Sequence, residues 1–108
     1  MSNPSESPAR PRAALVVRSG KLEGRHFPLE GDETLIGRSP ATEVTLIDDG
    51  VSREHAVLSF DEATGTWALE DLGTTNGTRV NGKRIRSSAL QSGDELQIGN
   101  TRLAFLVG

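Results

Sequence analysis

The sequence predicts an all-β fold, an antiparallel β-sandwich built from many short strands. Apolar residues occur in short or alternating runs, and no run shows a sustained helical period. Twelve glycines among the 108 residues, together with Asp, Asn and Ser, separate these runs at short intervals. Many short strands joined by Gly-rich turns are typical of sandwiches and barrels.

Five strands are predicted in the N-terminal half of the chain. The first is an apolar run that ends just before Gly20. The other four are short apolar runs, and Gly31 and Gly50 lie in the turns between them. The five predicted strands are Ala13–Arg18, His26–Leu29, Thr34–Gly37, Val44–Ile47 and His55–Phe60.

Five more strands are predicted in the C-terminal half. Thr66–Asp71 alternates along its length, which is typical of a strand with one buried face. Asn81-Gly82 is the favoured sequence for a type I′ turn and joins two short strands into a hairpin. The remaining predicted strands are Thr78–Val80, Lys83–Ile85, Asp94–Ile98 and Arg102–Val107.

The first twelve residues are expected to form a disordered tail. Proline stands at positions 4, 8 and 11 and serine is frequent, a composition that supports neither helix nor strand. Residues 13–108 then form one domain, since a chain of this length fits a single hydrophobic core.

Composition excludes several functional classes. The chain has no cysteine, which rules out disulfides, a thiol nucleophile and Cys-based metal sites. A net charge of −3 argues against nucleic acid and anionic membranes as general partners. No run approaches the roughly 18 apolar residues of a membrane span and no signal peptide opens the chain, so a cytoplasmic location is expected.

Three loops contain small or charged polar residues that a purely structural turn does not require. They are Gly37-Arg38-Ser39, Val51–His55 and Leu72–Thr78. Gly37-Arg38, Ser52-x-x-His55 and Asn76-Gly77, in this order, resemble the motifs of the forkhead-associated (FHA) domain family. The resemblance extends from Ala13 to Gly108 and is closest to small single-domain bacterial members with a short N-terminal extension. It implies a β-sandwich whose loops meet at one end and bind phosphothreonine peptides.

The same resemblance implies a role for each motif residue. The residues that would contact the phosphate are Arg38, Ser52, Arg53 and Thr75. The residue that would hold the main chain of the bound peptide is Asn76. The residues that would support the loops are Gly37, His55 and Gly77, and the imidazole would brace the loops without touching the ligand.

These residue types suit a phosphorylated threonine. Its ester has a charge of about −1.5 to −2 and three strong acceptor oxygens, so donors must approach from several directions. Arginine offers a planar fork that bonds two oxygens at once, and hydroxyl groups add compact donors. One loop cannot supply all of them, which is why three loops are needed.

Other interpretations of particular residues stay open. His55 could be a general base or a metal ligand, but the two histidines lack ligand-like spacing and a structural hydrogen bond is favoured. Asp48-Asp49-Gly50 is interpreted as a solvated turn rather than a pair of catalytic carboxylates. A basic hairpin could be a solvated face, contact acidic residues of a partner or contact RNA, and it contains Arg79, Lys83, Arg84 and Arg86.

The predicted function is a non-catalytic module that docks onto proteins phosphorylated on threonine. Its expected partners are a Ser/Thr kinase or the substrates of that kinase, with no cofactor, no metal and no catalytic residue. The alternative is a phosphate-independent structural or assembly domain on the same sandwich. A nucleic-acid binder of the OB-fold type is disfavoured by the pI near 5.3 and the 4% of aromatic residues.

Overall fold

The computed structural model describes residues 11–108, in which eleven strands form two sheets. The expected tail over residues 1–12 lies outside the described residues, apart from its last two positions. Within the described range, no helix has the length and apolar character needed to cross a membrane. The strands are β1 (Ala13–Val17), β2 (His26–Pro28), β3 (Glu33–Gly37), β4 (Val44–Thr45), β5 (Ala56–Asp61), β6 (Thr66–Asp71), β7 (Thr78–Val80), β8 (Lys83–Ile85), β9 (Ser87–Leu90), β10 (Glu95–Ile98) and β11 (Thr101–Val107).

The strands are arranged as a six-stranded and a five-stranded sheet. The first sheet has the order β2-β1-β11-β10-β7-β8, and the second has the order β4-β3-β5-β6-β9. Alternate residues of each strand point to one side, which is buried between the sheets, as in β1 and β11. The all-β sandwich predicted from the sequence is therefore confirmed.

The core between the sheets is aliphatic around a small aromatic cluster. Trp67 of the second sheet contacts Phe105 of the first edge to face, with ring centroids 5.8 Å apart. Phe60 also contacts the indole, in a tilted arrangement with a centroid distance of 4.9 Å. Leu and Ile side chains from both sheets complete one continuous core. Close packing in this core fixes the position of one sheet relative to the other.

The structure differs from the sequence prediction in two strands. Ser87–Leu90 was not predicted, yet it pairs with β6 at the edge of the second sheet. Val44 lies opposite Ile36 in a parallel pair, so β3 and β4 make this sheet mixed rather than purely antiparallel. A compact turn over residues 38–43 brings the chain back beside β3, and the hydroxyl of Thr42 fixes it by donating to the Ser39 carbonyl at 2.7 Å.

The β7–β8 hairpin has the turn that its sequence predicts. Asn81 and Gly82 both have positive φ angles, 52° and 86°. A type I′ turn requires this conformation at both central positions, and asparagine and glycine adopt it most readily. The hairpin therefore keeps Arg79 directly opposite Arg84.

Candidate functional site

Hydrogen bonds join the first predicted loop to the second. The Arg38 amide donates to the Ser52 carbonyl at 2.9 Å, and the Ser39 amide donates to the Arg53 carbonyl at 3.1 Å. Gly37 permits this close approach, because a Cβ at that position would overlap the Arg53 carbonyl oxygen. The glycine is thus required by its neighbour and not by an unusual backbone conformation.

The Arg38 side chain is exposed but held in one orientation. Its Nε donates to the Val51 carbonyl at 3.0 Å. Its two Nη atoms have no hydrogen-bond partner within residues 11–108, so their N–H groups are available to a ligand. Anchoring one nitrogen lowers the entropy that a ligand must remove to bind the other two.

Ser52 and Arg53 lie next to this guanidinium on the second loop. The Ser52 amide donates to Nδ1 of His55 at 3.0 Å. The half-buried Ser52 hydroxyl has no hydrogen-bond partner among the described residues. The exposed Arg53 guanidinium also has no hydrogen bond or ion pair to any residue in that range. Both side chains therefore keep their donors free.

His55 connects the second loop to the third from a fully buried position. Its Nδ1 accepts the Ser52 amide, and its Nε2 lies 2.9 Å from the Gly77 carbonyl. A carbonyl can only accept, so these partners assign the neutral tautomer with the proton on Nε2. Since Nδ1 faces the Ser52 amide, it is not placed to act as a base for the Ser52 hydroxyl.

Asp71 organises the third loop and was missed from the sequence. Its Oδ1 accepts from the hydroxyls of Thr74 at 2.6 Å and Thr78 at 2.8 Å, and its Oδ2 accepts from the amides of Gly73 and Thr74. Burial raises the pKa of Asp71, but the hydrogen bonds from Thr74, Thr78 and Gly73 outweigh it and leave the pKa below its ordinary value. The signal in the sequence is the Asp-x-x-Thr spacing at the start of the loop.

Arg84 supports the third loop from the neighbouring hairpin. Its Nη2 donates to the carbonyls of Thr74 at 3.4 Å and Thr75 at 3.3 Å. Its side chain crosses Gly77, where a Cβ would lie 2.5 Å from Nε of the arginine. Gly77 also has a φ of 80°, a conformation that glycine adopts at little cost.

Asn76 links the third loop back to the second. Its Nδ2 donates to the Gly50 carbonyl at 2.8 Å, while its Oδ1 has no partner in the described part of the chain. The neighbouring Thr75 is exposed, and its hydroxyl makes no hydrogen bond to that part. The amide group of Asn76 is therefore fixed on one side and open on the other.

The second loop is held in turn by Asp48, which is more than a residue of a solvated turn. Its Oδ1 accepts the Gly50 amide at 2.8 Å, and its Oδ2 accepts the Thr101 hydroxyl at 2.7 Å and the Asn100 amide at 2.9 Å. Burial raises the pKa of Asp48, but the hydrogen bonds from Thr101, Gly50 and Asn100 outweigh this effect. The pKa of Asp48 therefore lies below its ordinary value. This carboxylate ties the second loop to the β10–β11 turn.

The three loops form one hydrogen-bonded unit, and its outer side presents donors. Side chains on all three loops have free N–H or O–H groups: Arg38, Ser52, Arg53 and Thr75. The two arginines among them are cationic. Within residues 11–108, no cluster of His, Cys, Asp or Glu could hold a metal ion. The chemistry that this arrangement offers is the binding of an oxyanion.

Comparison with known proteins gives the family. The family model described as FHA domain matches residues 34–99, which span all three loops. The oxoglutarate dehydrogenase inhibitor of Corynebacterium efficiens is 44% identical over 96 residues, covering 89% of this chain. The chain spans 66% of the length of that relative.

Solved structures agree with this match. One from a study of phosphothreonine-dependent FHA domain interactions has a TM-score of 0.81 and 30% identity, covering 90% of this chain and 97% of the other. Mycobacterium tuberculosis EmbR in complex with a low affinity phosphopeptide has the same TM-score of 0.81 and 30% identity, covering 91% of this chain and 25% of EmbR. This chain belongs to the FHA domain family.

Proposed function

We propose that the chain is a non-catalytic module that binds protein segments containing phosphothreonine. The observation that carries the proposal is that hydrogen bonds join the three loops into one unit on which side chains of all three loops keep free donors. The FHA domain interactions studied with the similar solved structure are phosphothreonine-dependent, and EmbR is bound to a phosphopeptide.

Each proposed contact follows from the geometry of its side chain. The two free Nη atoms of Arg38 would bond two phosphate oxygens, and charge-assisted bonds of this kind contribute about 1.5–3 kcal/mol each. The hydroxyls of Ser52 and Thr75 would donate to the remaining oxygens, with Arg53 adding positive charge. Asn76 would hold the peptide main chain through its open amide oxygen.

His55, Gly37 and Gly77 would serve the site without touching the ligand. The imidazole is fully buried and both of its nitrogens face the loops. Gly37 allows the Arg53 backbone, and Gly77 the Arg84 side chain, to lie where a Cβ would collide with it. Together they keep the donors in place before the ligand arrives, which reduces the entropy lost on binding.

The proposed partners are proteins phosphorylated by a Ser/Thr kinase, or the kinase itself, met in the cytoplasm. A similar relative is an inhibitor of oxoglutarate dehydrogenase, which is consistent with a module that acts by docking onto another protein. Neither nucleic acid nor membrane is part of the proposed function. The second candidate is a phosphate-independent assembly domain that uses another surface of the sandwich.

Screening a phosphothreonine peptide library against the protein and its Arg38→Ala variant separates the two candidates. Phosphate binding predicts that Arg38→Ala loses measurable binding, whereas Arg86→Ala, an exposed arginine outside the three loops, binds like the parent. A phosphate-independent domain predicts that Arg38→Ala binds its partner as before. Unchanged peptide binding by Arg38→Ala would rule out the proposed site.

A further inference from the structure

A row of arginines crosses the outer face of the six-stranded sheet. Arg84 of β8 lies opposite Arg79 of β7, which lies opposite Gln97 of β10. Gln97 is in turn opposite Arg102 of β11, whose carbonyl accepts the amide of Arg18. These five residues are called the arginine row.

The row faces outward because its neighbours along each strand face the core. Thr78 and Val80 are buried on either side of exposed Arg79, and Thr101 and Leu103 are buried on either side of exposed Arg102. Side chains alternate along a strand, so the arginines share the opposite face. Strands lie about 4.8 Å apart, so the row extends for about 19 Å.

The arginines are not neutralised within the chain. Among residues 11–108, no carboxylate oxygen lies within 4.0 Å of a guanidinium nitrogen of Arg18, Arg79, Arg84 or Arg102. Two like-charged pairs, Arg79 with Arg84 and Arg102 with Arg18, instead lie opposite each other on neighbouring strands. Like charges in this position destabilise a sheet. Arg84 supports the third loop, but no such contact explains Arg79, Arg102 and Arg18.

The centre of the rest of this face is apolar rather than basic. In the next row across the sheet, Val16 and Ala104 are paired in register, with exposed His26 and Glu95 on their outer sides. The row after it contains Ala14 and Leu106. Leu106 is 42% exposed. A phosphate backbone would gain nothing from the apolar side chains and would be repelled by Glu95, and the described strands place one aromatic ring in these rows, the imidazole of His26 on the edge strand β2.

We propose that this face docks an extended segment of a partner protein that combines acidic and apolar side chains. Its carboxylates would pair with the arginine row, and its apolar side chains would cover Val16, Ala104 and Leu106. About six extended residues match the length of the row. Apart from Arg84, whose Nη2 donates to the Thr74 and Thr75 carbonyls, the surface is separate from the phosphate site, and its occupant needs no phosphate.

Nuclear magnetic resonance of the ¹⁵N-labelled protein tests the proposal without phosphorylation. The probe is an unphosphorylated synthetic peptide of about ten residues, glutamate with interspersed leucine, compared with the same peptide carrying glutamine for glutamate. The acidic peptide should shift the amide signals of Arg79, Gln97, Arg102 and Ala104. Added salt should weaken the binding of this peptide. The glutamine peptide should bind at least roughly threefold more weakly, since each exposed ion pair contributes modestly.

A pair of matched variants identifies the arginines that matter. Arg79→Gln with Arg102→Gln should raise the dissociation constant roughly threefold or more. Lys83→Gln with Lys21→Gln removes the same charge from outside the row, at a position that alternates away from Arg84 and in the β1–β2 turn, and should bind like the parent. Because Arg79→Gln relieves a like-charged pair, it should fold at least as stably as the parent, so a loss of binding would not reflect unfolding.

Several results would overturn the proposal. Shifts confined to Arg38, Ser52 and Thr75 would place the acidic peptide in the phosphate site, and equal binding of the glutamine peptide would remove the role of charge. Tighter binding of duplex DNA or phosphatidylserine vesicles to the row would identify another class of partner. Shifts on this face that follow protein concentration alone would identify a second copy of the chain. None of these results depends on whether Arg38 binds phosphothreonine.

Discussion

Replacing His55 with alanine tests how the loops are held together. The change removes the acceptor of the Ser52 amide and the donor to the Gly77 carbonyl, and it leaves a cavity at a fully buried position. A buried polar group without its partner costs about 1–3 kcal/mol. With part of this offset by entering water, the expected loss in the free energy of unfolding is about 2–5 kcal/mol.

Thermal and urea unfolding measure this loss, and the second histidine of the chain supplies the control. For a domain of about 100 residues, 1 kcal/mol corresponds to a shift of about 4–8 °C, so His55→Ala should melt at least about 8 °C below the parent. His26 is exposed on β2, and His26→Ala should melt within about 2 °C of the parent. The m-value should stay unchanged, since the same surface is exposed on unfolding.

The same variant should also bind a phosphothreonine peptide more weakly at a temperature where it remains folded. The second and third loops would lose their direct connection through the imidazole, so Ser52 and Asn76 would no longer be held in one arrangement before binding. A melting temperature equal to that of the parent would refute the bracing role of His55. Full affinity in a destabilised variant would show that His55 stabilises the fold without contributing to peptide binding.

Three further changes give measurable results. Ser52→Ala should weaken phosphopeptide binding by about 1–3 kcal/mol in calorimetry while the melting temperature stays the same, and unaltered affinity would remove the hydroxyl from the site. Gly37→Ala should destabilise the fold by about 3 kcal/mol or more in urea, because the added methyl overlaps the backbone carbonyl of Arg53; a stable variant would contradict the close approach. The folded pKa of Asp71 lies below its unfolded value, so its contribution to stability is present above about pH 4 and is lost as the pH falls through the folded pKa. Urea midpoints measured across this range should fall less steeply for Asp71→Asn, and parallel curves would contradict the argument.

The sequence predicted most strands because their side chains alternate with the side that each strand buries. Thr66–Asp71 keeps its predicted bounds, since its large apolar side chains face the core. The strand Ser87–Leu90 buries only Leu90, and three small residues precede it, so it has no period that a sequence could reveal. This segment is a strand because it pairs with β6 in the second sheet.

The loops of the site were identified from their motifs, whereas the groups that hold them were not. Asp48 binds Thr101 across 53 positions of sequence, and Arg84 reaches the carbonyls of another loop, so neither contact is a local pattern. The sequence interpreted Asp48 as part of a solvated turn and Arg84 as part of a basic hairpin. Only the packing of the two sheets brings these partners together.

One calorimetric experiment tests the central claim most directly. A peptide selected from the library is titrated into the protein twice, once with phosphothreonine and once with unmodified threonine. Losing several charge-assisted hydrogen bonds to the phosphate should weaken binding at least about 100-fold. Equal affinity for the two peptides would contradict a site built to bind phosphate.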